Sequence, residues 1–172
     1  MKHVTDFIAK YKKAAQDAAA GSKIFPDTVL STAALESDWG RSQLSRLHNN
    51  FHGMKAGSTW KGQSVVMATK EQDKQGRVYT VNARFRKYAT PEEGFRGYIE
   101  LLNQPRYRAS GVFAAKSPAE QFEALKRGGY ATDAKYVEKA VSVLRRITNT
   151  VVNVVKSNPG ASVLGTGILF FF

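Results

Sequence analysis

Glu36 stands where a helix would carry its apolar face. In the stretch ALESDWG, residues 34–40, it follows Ala33, Thr32 and Val29 by three, four and seven positions, so all four share one helical stripe. A carboxyl group held on an apolar stripe resists ionisation, so its pKa rises and it can keep a proton near neutral pH. That is the property a general acid needs. The bland alternative is a glutamate that reaches solvent or pairs with a neighbouring arginine such as Arg41. A second carboxylate, Glu71, lies in ATKEQDKQG, where an alternating segment approaches a turn. Hairpin tips commonly carry solvated acids, but a helix-borne acid and a hairpin acid facing each other across a groove is also how glycosidases arrange two carboxylates. Trp39, Phe51, Trp60, Tyr130 and Tyr136 could line such a groove and stack on the C–H faces of sugars. Each alone suits a core equally well.

Other spacings carry less. His48 and His52 are four apart, as metal ligands on a helix would be. The intervening NNF and the following Gly53 read as loop, however, and no zinc-protease glutamate accompanies them. Ser58 and Lys61 fit S-x-x-K but lack the K-T-G companion of the serine acylases. No metal or other cofactor is expected. Cysteine is absent, which removes disulfides, thiolate metal sites and a cysteine nucleophile. Lys and Arg number 26 against 14 Asp and Glu, giving a net charge of +12. Such an excess favours a polyanionic partner: nucleic acid, an acidic membrane surface or an acidic wall polymer. The basic residues are scattered, with no long run and no RNA-binding signature, so nucleic acid is the weakest of the three.

Elements must position these groups. The pattern predicts a first helix over residues 3–19 and a second from Pro26 to about Trp39, with Pro26 in its first turn and Gly40 as its stop. SQLSRLH adds a turn or two, and NNFHGMKAGSTWKG is loop. Tyr79, Val81, Ala83 and Phe85 alternate with polar residues, and SVVMATKE is their partner strand, so residues 62–88 read as a β-hairpin turning near Gly76. Thr90 with Glu93, and Ser117 with Glu120, form capping boxes around Pro91 and Pro118. Asp133 is expected to cap a last helix with Val137, Val141, Leu144 and Ile147 as its buried stripe. The expected fold is α+β and mainly α: a helical domain with one hairpin inserted.

Two boundaries remain. The N-terminal MKHVTDFIAKYKKAAQDAAAG is a charged amphipathic helix without an apolar signal core. The expectation is delivery from a virion, release through a holin, or export by a dedicated apparatus. No segment reaches the roughly 20 apolar residues of a membrane span. Residues 1–150 are expected to form the domain and 151–172 an apolar tail, since SNPGASVLGTGILFFF carries no charge. The tail either packs on the domain as a strap or finds a membrane, a virion protein or a secretion-apparatus protein.

Taken in order, ALESDWGRSQL, NNFHGMK, W-K-G, T-K-E, ARFRKYATPEEGFRGYIELL and GGYATDAKYVEKAVSV resemble glycoside hydrolase family 73. These are the glucosaminidase domains of bacterial autolysins, of the flagellar rod-assembly peptidoglycan hydrolase and of some phage lysins. The resemblance runs from about residue 3 to residue 148. It implies a lysozyme-like helical domain with a two-stranded β-lobe over the groove, and hydrolysis of the β-1,4 bond after N-acetylglucosamine in peptidoglycan. It further implies Glu36 as general acid, Glu71 as the second acid and Tyr130 as the tyrosine of GYAT. Asn50, Phe51, Trp60 and Tyr136 are the candidate substrate-binding residues. NNFHGMK departs from the family's usual Asn-Leu-Phe-Gly-hydrophobic-Lys, which puts His52 beside the groove floor in place of, or next to, a small residue. Two rivals stand beside this reading: a muramidase or lytic transglycosylase of the same fold, and a catalytically inert wall-binding or virion structural module.

Overall fold

In the computed structural model, residues 2–73 and 75–157 are described; the apolar segment beyond Ser157 lies outside them. Helix α1 (Lys2–Ala19) sets Val4, Phe7, Ile8, Tyr11, Ala15 and Ala18 on one stripe and packs it on α2 (Pro26–Glu36) and α4 (Pro91–Leu102). Helix α2 has no exposed face in its middle. Every residue from Thr28 to Ala34 is buried, because α1, α4, α6 (Pro118–Arg127) and α7 (Tyr136–Ser157) surround it. Serine, threonine and alanine suit such a central helix, since short side chains let neighbours approach. The Thr32 hydroxyl is satisfied locally by the Thr28 carbonyl at 2.9 Å.

Helix α2 ends at Glu36, three residues before the expected Trp39. Asp38, Trp39 and Gly40 all take positive φ, at 52°, 57° and 74°. Left-handed backbone cannot continue a right-handed helix, and two of these three residues are not glycine, so the turn holds strain directly after Glu36. Gly40 presses on the core there: a Cβ on it would lie 3.1 Å from the Phe7 ring.

Helix α3 (Gln43–His48) starts on Ser42, whose hydroxyl accepts from Ser45 N. Strands β1 (Ser64–Gln72) and β2 (Val78–Arg86) form the expected hairpin, paired antiparallel from Ser64 with Arg86 to Gln72 with Val78. Lys55 bridges Phe85 on the other edge of β2, so the loop before the hairpin adds a third short segment at its base. Gly94 lets α4 come close to this loop; a Cβ there would meet the Asn49 carbonyl oxygen at 2.0 Å.

Both caps form. Thr90 accepts from Glu93 N and Ser117 from Glu120 N, while the two glutamates return to the N–H groups of Ala89 and Lys116, one residue earlier than the usual box. Helix α5 (Pro105–Ala109) and a 3-10 turn (Val112–Ala114) lead to α6. Asp133 precedes α7 by three residues, accepting from Lys135 N and pairing with Lys139. On α7 the fully buried residues are Tyr136, Ala140 and Ile147, with Val137, Val141 and Leu144 half-buried beside them. The helix runs unbroken through residue 150 to Ser157.

Candidate active site

Glu36 is the last helical residue of α2, and this placement decides its environment. It is not sealed in the core, as the apolar stripe alone predicted; it is solvent-exposed. Protein nevertheless surrounds it on enough sides to strip much of its hydration, and that desolvation pushes its carboxyl above the usual glutamate range. The two observations agree if the carboxyl sits at the floor of a cleft, reached by water but not immersed in it. Arg41, the alternative partner, is taken by Asp38: its guanidinium donates to the Asp38 carboxylate at 2.7 Å and the Asp38 carbonyl at 3.1 Å.

Around Glu36 lies a cluster of phenols. Tyr130 packs against Tyr98, Tyr107 and Tyr136 with ring centroids 5.8, 6.2 and 5.7 Å apart. Burial raises the pKa of Tyr98, Tyr130 and Tyr136, and the negative charge of Glu36 adds to the rise in all three. These phenols are therefore neutral donors. The hydroxyls of Tyr98 and Tyr136 are buried without a hydrogen-bond partner among the described residues; Tyr98 lies near Thr32 without good bonding geometry. An unsatisfied buried donor costs about 1–3 kcal/mol, so both hydroxyls call for a partner.

Beneath Tyr98 is His52. The rings stack at 3.8 Å and 1°, and His52 Nε2 meets the Thr32 hydroxyl at 3.0 Å. Burial drives the His52 pKa down to about 3, so the ring is neutral. Where the sequence placed His52 at the groove floor, it forms the layer under that floor. Tyr98 was missed by sequence reasoning. Its signal was a hydroxyl on the buried stripe of α4, three residues after Phe95 and four before Leu102.

Glu71 sits on β1 opposite Tyr79, near the hairpin tip, and pairs with Lys55 at 2.5 Å. The other expected residues divide. Tyr130 and Tyr136 join the cluster around Glu36. Asn50 is buried: it donates to the carbonyls of Met54 and Arg86 at 2.9 and 2.8 Å, and accepts from Met54 N at 2.8 Å. Phe51 is a core ring between Tyr11 and Phe95. Trp60 packs on Arg86 and Tyr88 and donates to the Gln63 carbonyl. Arg86 pairs with Ser64, which puts it on the opposite face of the ribbon from Glu71. Trp39 packs on Phe7 under the Arg146 guanidinium. Among the described residues no three metal-ligating side chains converge, and no helix is long and apolar enough to cross a membrane.

A family model described as Glucosaminidase, mannosyl-glycoprotein endo-beta-N-acetylglucosaminidase, matches residues 12–149. The chain is 35% identical to peptidoglycan hydrolase FlgJ of Salmonella typhimurium over 147 residues, covering 83% of this chain and 46% of that protein. It is likewise 35% identical to exo-glucosaminidase LytG of Bacillus subtilis over 129 residues, covering 72% of this chain and 44% of that protein. The chain thus spans less than half the length of these curated relatives. Among solved structures, the glycoside hydrolase domain of Salmonella typhimurium FlgJ superposes with a TM-score of 0.75 at 31% identity, covering 91% of this chain and 95% of that one. The catalytic domain of the autolysin Auto from Listeria monocytogenes gives a TM-score of 0.76 at 30% identity, covering 88% of each chain.

Proposed function

The chain belongs to the glucosaminidase family of glycoside hydrolases, and from that premise we propose that it cleaves bacterial peptidoglycan internally, at the β-1,4 bond after N-acetylglucosamine. The observation that carries the reading is Glu36: an accessible carboxyl with a raised pKa, beside neutral tyrosines at the end of a buried helix. Protonated, Glu36 donates to the glycosidic oxygen as the bond breaks. The oxocarbenium-like transition state then calls for negative charge or an activated water, and Glu71 on the hairpin is the second carboxylate that supplies it. Tyr130, neutral because burial and Glu36 oppose its ionisation, donates to the N-acetyl group and orients it.

Mass spectrometry of reducing ends after digestion of purified peptidoglycan tests the bond assignment. New ends should carry N-acetylglucosamine. Ends carrying N-acetylmuramic acid would make the protein a muramidase, and anhydro ends a lytic transglycosylase.

The site of action under this reading is the cell wall. The net charge of +12 supports attraction to anionic wall polymers at long range, weakened by salt. The uncharged residues 158–172, ending in ILFFF, support a second contact, with a membrane surface. Burying each large apolar side chain is worth roughly 1.5–3 kcal/mol. Because α7 continues to Ser157, the informative truncation is after that residue. Removing 158–172 is expected to leave hydrolysis of soluble glycan fragments intact and to abolish binding to zwitterionic liposomes, which the net charge does not attract. Unchanged liposome binding would rule the membrane contact out and turn attention to a virion or secretion-apparatus protein; a lost thermal transition would make the segment a strap on the domain.

A further inference from the structure

The Met-Lys of NNFHGMK has no role so far, yet it is firmly fixed. Asn50 holds both the N–H and the carbonyl of Met54. Arg86 N donates to the Met54 carbonyl and Ala56 N to the Arg84 carbonyl, each at 2.8 Å, with Arg86 Nε reaching the Lys55 carbonyl at 3.3 Å. Lys55 is thereby paired with Phe85, and Phe85 with Val65. Paired residues project to one face of a ribbon, and so does every second residue along a strand, so Lys55, Val65 and Glu71 share a face.

They share it at opposite ends. From Val65 to Glu71 a strand advances about 20 Å, and two strand spacings add about 10 Å sideways, so in a flat ribbon the Cα atoms of Lys55 and Glu71 would lie roughly 22 Å apart. Extended lysine and glutamate side chains in contact bridge only about 14 Å, given bond lengths of about 1.5 Å. Yet Lys55 Nζ meets Glu71 Oε1 at 2.5 Å. The hairpin must therefore curl strongly toward this face and return its tip toward the loop.

We propose that Lys55 is a positioning residue: through its ion pair with Glu71 it latches the curled hairpin and sets where the second carboxylate stands over the groove. The proposal rests on the reading of Glu71 as a catalytic carboxylate. The Lys55 side chain is 56% exposed and that of Glu71 35%, so water reaches the latch and it can open and reclose as a glycan strand enters. A lysine suits that task, being a point charge with rotatable donors on a flexible stem.

The test compares Lys55→Met, Lys55→Arg, Glu71→Gln and the double variant Lys55→Met/Glu71→Gln on peptidoglycan, with melting curves to confirm folding. Lys55→Met should lower kcat about fivefold, what the strongest exposed ion pairs are worth, while leaving KM unchanged. Lys55→Arg should recover most of that loss. The double variant should be no slower than Glu71→Gln alone, because Lys55 acts through Glu71. Losses that multiply in the double variant, or wild-type kcat in Lys55→Met while Glu71→Gln is impaired, overturn the proposal. Should Glu71→Gln keep full rate, the catalytic reading of Glu71 fails instead, and amide hydrogen exchange over residues 69–80 decides the latch. Faster exchange in Lys55→Met but not in Lys55→Arg supports it, and unchanged exchange overturns it.

Discussion

Replacing Glu36 by glutamine is expected to cut turnover on peptidoglycan by about 10²–10⁴-fold, the share a positioned general acid supplies. The amide has nearly the shape of the acid but no proton to give. The fold should survive and even gain. Desolvation raises the Glu36 pKa in the folded chain, so above the ordinary glutamate value the native state holds more protons than the unfolded one. Stability therefore falls as pH rises through the folded pKa, and near neutral pH the ionised carboxylate is a cost. Glutamine removes that cost, so Glu36→Gln should melt higher than wild type at neutral pH while being nearly inactive. The alkaline limb of the wild-type kcat/KM profile should lie above the ordinary carboxylate range, reporting the same group. A variant that keeps more than about a tenth of the wild-type rate is incompatible with a general acid of this strength. One that is inactive but melts lower has lost structure rather than a proton.

Features set by neighbouring residues were legible in the sequence. The hydroxyl caps of Thr90 and Ser117 and the alternation of Val81, Ala83 and Phe85 on β2 each depend on a few adjacent positions, and each appears where expected, while Tyr79 nearer the tip is exposed. The end of α2 was not legible, because the left-handed turn at Asp38 and Trp39 is held by contacts elsewhere, among them Gly40 against Phe7. That displacement matters: it moves Glu36 from the last turn of the expected helix to its final residue, and so from a buried stripe to an accessible position. Asn50 and Phe51 belonged to a recognisable stretch, but a motif does not say whether a residue touches substrate or holds the loop that does. Here Asn50 anchors Met54, and Phe51 fills the core. The curl of the hairpin was invisible for another reason. Alternation gives the face of each strand residue and nothing about bending, so the meeting of Lys55 with Glu71 is a property of the folded ribbon alone.

His52 predicts how the folded protein responds to acid. Its ordinary pKa of 6.5 falls to about 3 in the folded chain, because a charged imidazole cannot be hydrated where it lies against Tyr98 and Thr32. Between those values the unfolded chain takes up a proton that the native chain refuses. Stability is therefore lost as pH falls from about 6.5, at roughly 1.4 kcal/mol per unit, and the total by pH 3 is of order 5 kcal/mol. Domains of this kind have only about 5–15 kcal/mol in hand, so acid should bring wild type close to unfolding. Other groups titrate too. His3, whose pKa is lowered chiefly by desolvation, acts with the same sign. Asp73 and Asp133, whose pKa values are lowered chiefly by hydrogen bonds from Arg77 and Lys139, lose their contribution only below the ordinary aspartate value. Glu36 and Asp27, raised by burial, act with the opposite sign. Comparing wild type with His52→Gln cancels these, since glutamine is neutral throughout and can still bond Thr32. The variant gives up the ring stack, so it should be less stable at pH 7. Its free energy of unfolding should nevertheless fall more gently between pH 6.5 and 4, and the two curves should converge or cross. Parallel curves from denaturant titrations across that window would mean that His52 takes up its proton in the folded state, and that the layer under Tyr98 is open to water.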